Sequence, residues 1–157
     1  MFTKSKGFTL VEILIVLVIV GILLSGLVLV LSAKEKELRD SKRVSDMQAV
    51  HSALAVVKNE TGSFQRSYCP LSFVSMCANV ENSELIKVLP ELKSINDPKV
   101  KNVSCATPDA CLSKGCNYTL VKLEENDYEI LFNLEKGSGQ YNEGGCYKVT
   151  PDGISKK

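Results

Sequence analysis

The sequence predicts an α+β protein: one very long N-terminal helix followed by a small antiparallel sheet. Three observations lead there. An uninterrupted apolar run extends from Ile13 to Ala33. Beyond a charged stretch, apolar residues recur at helical spacing as far as Thr61-Gly62. From Asn117 onward the apolar period switches from that of a helix to the alternation of strands.

The apolar run is Val, Leu and Ile with Gly21, Ser25 and Gly26 among them. As a helix rising about 1.5 Å per residue it spans ~30 Å, the thickness of a bilayer's hydrocarbon. No other stretch is long or apolar enough to cross. Lys4 and Lys6 precede it, so the positive-inside rule places the N-terminus in the cytoplasm and the rest of the chain outside. A secretory signal core is only ~7–15 residues and ends at a small-residue cleavage site. This run is longer, Leu31-Ser32-Ala33 is only a fair site, and a carboxylate as early as Glu12 suits no signal core. The first cysteine is Cys69, so lipidation near the N-terminus is excluded. Burying Glu12 in lipid without a partner costs roughly 2.5–3.5 kcal/mol at a helix centre. Its partner is therefore the key to function.

Gly7-Phe8-Thr9-Leu10-Val11-Glu12 resembles the processing motif of type IV pilins and of the pseudopilins of type II secretion. The resemblance covers the leader, the apolar helix and its continuation to about Gly62. It implies cleavage by a membrane aspartyl peptidase, the prepilin peptidase, between Gly7 and Phe8. It implies N-methylation of Phe8 by the same enzyme and a role in assembly for Glu12. It also implies a type IV pilin-like fold, a homo-oligomeric helical filament, and an assembly ATPase and a polytopic platform membrane protein as partners. One departure is Leu29, where many members of the family carry a helix-kinking proline. Gly21 offers a weaker flexible point.

The chemistry of the motif follows without the family. A cut after Gly7 suits a peptidase site with no room for a side chain. It removes Lys4 and Lys6, which brings the formal net charge from +1 to −1, and it creates an ammonium on Phe8. Ammonium and carboxylate attract strongly in low dielectric, and neither is comfortable alone. Glu12 lies about one turn from Phe8 in its own helix, but in a bundle it can meet the amine of a neighbouring subunit. A polar pair in an apolar seam sets axial register. Gly21, Ser25 and Gly26 allow close helix approach.

The charged stretch Lys34 to Asp46 reads as a solvated helical face that also meets lipid headgroups and adjacent subunits. Glu35–Arg39, Lys36–Asp40 and Lys42–Asp46 are pairs four apart. Met47, Val50, Leu54 and Val57 then form an apolar stripe, and Thr61-Gly62 stops the helix. The lone histidine, His51, borders the stripe as a packing residue. The expected division is a leader over 1–7, a transmembrane and filament-core helix over 8–33, an amphipathic continuation over 34–62, and a disulfide-rich head over 63–157.

From Ser63 to Gly115 the signals are irregular. Asn82-Ser83-Glu84 reads as the cap of a short helix limited by Pro90, and Asn96-Asp97-Pro98 as a turn. Strands are expected over 118–123, over 128–135 and over 146–149, the last closed by Pro151-Asp152-Gly153. Packed on the amphipathic half of the helix, these three antiparallel strands form the head.

Six cysteines, Cys69, Cys77, Cys105, Cys111, Cys116 and Cys146, all follow the membrane segment. An even count in an oxidising compartment reads as disulfides. The preferred pairing is Cys69–Cys77 as a local clip, with Cys116 or Cys111 reaching Cys146. Zinc and redox catalysis are the rival readings; neither finds a CxxC motif. Asp97, Asp109, Glu143 and Asp152 read as solvated loop carboxylates, with calcium the alternative. The chain has no tryptophan, so the Asp-Pro-Trp-Gly segment of calcium-binding secretion pseudopilins is missing. No cofactor and no metal are expected.

The charge balance gives no nucleic-acid footprint, and no nucleotide loop, nucleophile elbow or HExxH motif points to an enzyme. The reading is a prepilin: a fimbrial structural subunit held in the inner (cytoplasmic) membrane by one span, then polymerised into a surface or periplasmic filament. The alternatives are a secretion pseudopilin and an anchored extracytoplasmic binding module that never polymerises.

Overall fold

Helix α1 spans Leu10–Thr61, and the computed structural model describes residues 10–107 and 109–157. The expected start of the helix at Phe8 lies outside the described residues. The end falls where the sequence places a stop. Thr61 Oγ1 donates to the Val57 carbonyl at 2.7 Å, and the Gly62 amide bonds the Lys58 carbonyl at 2.8 Å. Gly62 has φ +79°, the left-handed region a glycine enters at little cost. Lys58 Nζ then donates to the Gly62 carbonyl at 2.6 Å and to the Glu125 carbonyl at 3.1 Å.

The chain divides into two units, Met1–Glu35 and Lys36–Lys157. In the first, the side chains of residues 10–25 are exposed along the whole helix. α1 is, among the described residues, the one helix long and apolar enough to cross a membrane.

In the second unit, Met47, Val50, Leu54 and Val57 are at most 2% exposed. Burying each stabilises the fold by roughly 1.5–3 kcal/mol. They join one core with Tyr118, Leu120, Tyr128, Ile130, Phe132, Leu134, Tyr147 and Val149 of the sheet region. The connection from helix to sheet is built from 3₁₀ turns at Phe64–Ser67, Val74–Asn79 and Pro90–Ser94. The short helix α2 spans Glu84–Val88. Ser83 does not cap α2 with its side chain; its hydroxyl turns inward to the Ser67 carbonyl. That buried carbonyl makes the stronger claim on the hydroxyl than an exposed helix end. Pro90 ends α2 but also opens the 3₁₀ turn that follows, because its missing N–H is no loss at a first helical position.

The sheet is an antiparallel meander of four strands: β1 Thr119–Leu123, β2 Tyr128–Leu134, β3 Gly145–Thr150 and β4 Gly153–Lys156. Three strands were expected; the fourth corrects that number. Pro151-Asp152 is the hairpin loop between paired Thr150 and Gly153, and the chain continues along β3. β4 is a half-exposed edge strand with Ile154 as its one apolar residue, so no alternation advertises it.

The alternation of β2 sorts the two faces. Tyr128, Ile130, Phe132 and Leu134 enter the core against α1. Leu131 enters a second, smaller cluster with Ala110, Cys105, Cys111, Cys116 and Cys146. This cluster covers the other face of the sheet, so β2 is buried on both sides over most of its length.

Candidate functional site

The site residues expected from sequence fall into two groups, and the structure adds a third. The cleavage and methylation residues, Gly7 and Phe8, lie outside the described residues. Glu12 sits in the first turn of α1, at the head of the exposed apolar surface. Around it Leu10 is 80% exposed, and farther along Leu23 is 68% exposed. A Cβ placed on Gly21 meets nothing within 4 Å, so this point of the helix is open to close approach. Ser25 satisfies its hydroxyl on the Ile22 carbonyl at 2.7 Å, which leaves that turn of the helix without an unpaired polar group.

The cysteines form the second group. The structure pairs Cys69–Cys77, Cys105–Cys116 and Cys111–Cys146. The first closes the turns after α1. The other two lie side by side beneath the sheet, where Cys146 of β3 is tied to the π-helical turn Ala110–Lys114. Cys105, Cys111 and Cys116 bring their sulfurs close enough to suggest a metal triad, but all three are in disulfides and offer no thiolate.

The third group was missed in the sequence. The stretch Lys34 to Asp46 was expected as a solvated face, and its expected Lys42–Asp46 pair forms at 2.8 Å. Asp40 and Arg43, however, are fully buried. Arg43 Nε and Nη2 donate to the two oxygens of Asp97 at 2.6 and 3.1 Å, a bidentate fork. Its Nη1 donates to Asp40 at 2.7 Å and to Glu135 at 2.9 Å. Arg39 forks onto both oxygens of Glu135 at 2.7 and 2.9 Å, and Lys99 reaches Glu135 at 3.2 Å. Asp40 in turn accepts the amides of Glu135, Lys136 and Gly137 at 2.7–2.9 Å. In these contacts the cations of Arg39, Arg43 and Lys99 face the carboxylates of Asp40, Asp97 and Glu135.

Asp97 is the clearest correction among the loop acids. It is 1% exposed and accepts the Lys99 and Val100 amides, both at 2.8 Å. The expected turn is there, but its carboxylate faces Arg43 rather than water. The signal for the cluster was periodic: Asp40 and Arg43 continue the buried stripe of Met47, Val50, Leu54 and Val57 toward the N-terminus. Their charge disguised them as surface.

Electrostatics follow the geometry. Burial works against the Arg43 charge, but Asp97, Asp40 and Glu135 outweigh it and hold the guanidinium charged. Hydrogen bonds from Arg39, and further ones from Arg43 and Lys99, pull the Glu135 carboxyl from its ordinary 4.5 down to about 2. Burial and then Asp46 push the Tyr118 phenol up, and its hydroxyl donates to Asp46 at 3.0 Å. His51 is half-buried, and its Nδ1 lies 2.7 Å from the Tyr128 hydroxyl. The cluster holds α1 to the sheet and to the turn around Asp97.

Residues 2–28 match the family described as the prokaryotic N-terminal methylation motif. No curated protein and no solved structure matches the chain. The matched segment contains Gly7, Phe8 and Glu12 and runs straight into the exposed apolar surface of α1. This motif is that of the class III signal peptide of type IV pilins and pseudopilins, and the match supports a type IV pilin-like or pseudopilin precursor.

Proposed function

We propose that the protein is a prepilin, a structural subunit of a type IV pilus-like filament. A prepilin peptidase cuts it after Gly7 and methylates the new N-terminus at Phe8. The mature chain waits in the cytoplasmic membrane with its C-terminal domain outside, until an assembly ATPase and a platform protein drive it into a helical filament. The observation that supports this best is the continuity of the matched motif with an apolar helix that is exposed throughout residues 10–25. Such a surface is satisfied by lipid or by other helices of its kind. In both settings Glu12 is far from water, and in the filament the Phe8 ammonium of an adjoining subunit neutralises it.

Mass spectrometry of the mature protein tests the first half of this reading. The expected N-terminus is Phe8 with one added methyl group; a chain that keeps its leader overturns the proposal. Glu12→Ala tests the second half. The variant is expected to be processed and to reach the membrane, yet to be absent from sheared or purified filaments. Normal incorporation would show that Glu12 is not the assembly residue. A fibre on the cell surface favours a pilus, whereas a secretion defect without such a fibre favours the pseudopilin reading.

A further inference from the structure

The two disulfides beneath the sheet are close enough to exchange. Sulfurs of Cys105 and Cys116, which form one bond, lie within 4.8 Å of the sulfur of Cys111, which belongs to the other. A largely apolar cavity of about 140 Å³ reaches this place, lined by Cys105, Cys111 and Cys146 together with Leu131, Leu112 and Lys157. Leu112 is 62% exposed. Cys116 does not line the cavity, and of the four buried cysteines beneath the sheet Cys146 is the most exposed, at 4%.

We propose that Cys146 is a thiol-exchange site for a dithiol, and that the neighbouring disulfide takes up the thiolate that this attack releases. The incoming thiolate bonds Cys146 Sγ, and the electron pair of the Cys111–Cys146 bond leaves with Cys111. The Cys111 thiolate then bonds Cys116 Sγ, and the pair of the Cys105–Cys116 bond leaves with Cys105, which takes a proton from water. Cys105 is the better leaving group because it lines the cavity that Lys157 also borders, and an ammonium nearby favours a thiolate, whereas Cys116 does not line it. The second thiol of the reagent displaces Cys146 from the mixed disulfide and departs as its own disulfide. In balance, two electrons pass from the dithiol to the protein. The products are thiols at Cys105 and Cys146 and a relocated Cys111–Cys116 bond. β3 loses its covalent tie, while the turn beside it keeps one. This chemistry stands whether or not the chain polymerises.

The test is partial reduction of the full-length protein in detergent with a substoichiometric amount of dithiothreitol, followed by alkylation and peptide mapping. The first reduced species is expected to carry label at Cys105 and Cys146, with Cys111–Cys116 bonded and Cys69–Cys77 intact. A first species labelled at Cys111 and Cys146, with Cys105–Cys116 retained, overturns the proposal, and so does prior reduction of Cys69–Cys77. A Cys146→Ser variant starts with its single thiol at Cys111, and more label is expected at Cys105 than at Cys111. Label confined to Cys111 overturns the exchange step. Should that variant fail to fold, the measurement on the unaltered chain decides alone.

Discussion

Replacing Arg43 by Met isolates the charge cluster from its packing, because Met refills much of the alkyl stem and removes only the guanidinium. The structure says where the loss falls. Asp40 keeps its three amide donors, and Glu135 keeps Arg39 and Lys99. Asp97 loses both guanidinium bonds and retains only the Lys99 and Val100 amides while 1% exposed. Breaking a buried pair by removing one partner costs about 3–5 kcal/mol, since a charge is left without compensation. Against a domain stability of about 5–15 kcal/mol this is a large share. Urea unfolding of the full chain in detergent, with disulfides intact and followed by tyrosine fluorescence, should show the midpoint falling at unchanged slope. Adding Asp97→Asn removes the stranded charge. The double variant should therefore be less destabilised than the sum of the two single changes, by about 0.5–3 kcal/mol. As a contrast, Lys87→Ala breaks a pair in which Lys87 is 62% exposed, and it should move stability by less than about 0.5 kcal/mol. A loss below about 1 kcal/mol for Arg43→Met, or strict additivity in the double variant, would refute the reasoning, because the charge would then be escaping to water.

The pH dependence follows from Glu135. Its carboxyl is depressed from 4.5 to about 2 in the folded state, so its contribution is fully present above pH 4.5 and is lost as pH falls from there toward about 2. Urea midpoints across that window should decline, and Glu135→Gln should flatten the decline; an unchanged slope in the variant would exclude Glu135 as the cause. Gly137→Ala should be strongly destabilising, by at least about 1–3 kcal/mol. Its φ is +106°, and a Cβ there would lie 2.4 Å from the Tyr141 carbonyl oxygen, within the turn whose amides hold Asp40. Wild-type stability in that variant would show that the turn relaxes freely.

What could be read in the sequence was whatever is encoded over short distances. The motif around Gly7 and Glu12 is contiguous. The stripe of Met47, Val50, Leu54 and Val57 repeats within two or three turns, and β2 alternates over seven residues. The cluster around Arg43 is different in kind. Arg43 meets Asp97 across 54 positions and Glu135 across 92, and no local pattern announces which distant carboxylate will close on a buried guanidinium. The same limit hid the inward turn of the Ser83 hydroxyl. β4 escaped for a second reason: an edge strand is specified by its pairing with β3, and its own residues need not alternate.

Why the head keeps a buried ion cluster at all is an energetic question, because apolar residues of similar volume are often as stabilising as such a cluster or more so. The geometry answers it through register. Along α1 the apolar residues are similar in size, and a slide by one turn would exchange one such residue for another at modest cost. The cluster does not permit that slide. The Arg43 fork fits the Asp97 carboxylate in one orientation. In the same register Asp40 must also meet three successive amides of the turn after β2. A displaced helix would strand Asp40, Arg43 and Asp97 together, at several times the cost of one imperfect apolar contact. The apolar stripe thus supplies the bulk of the attraction, and the charges choose which of its possible alignments is the native one.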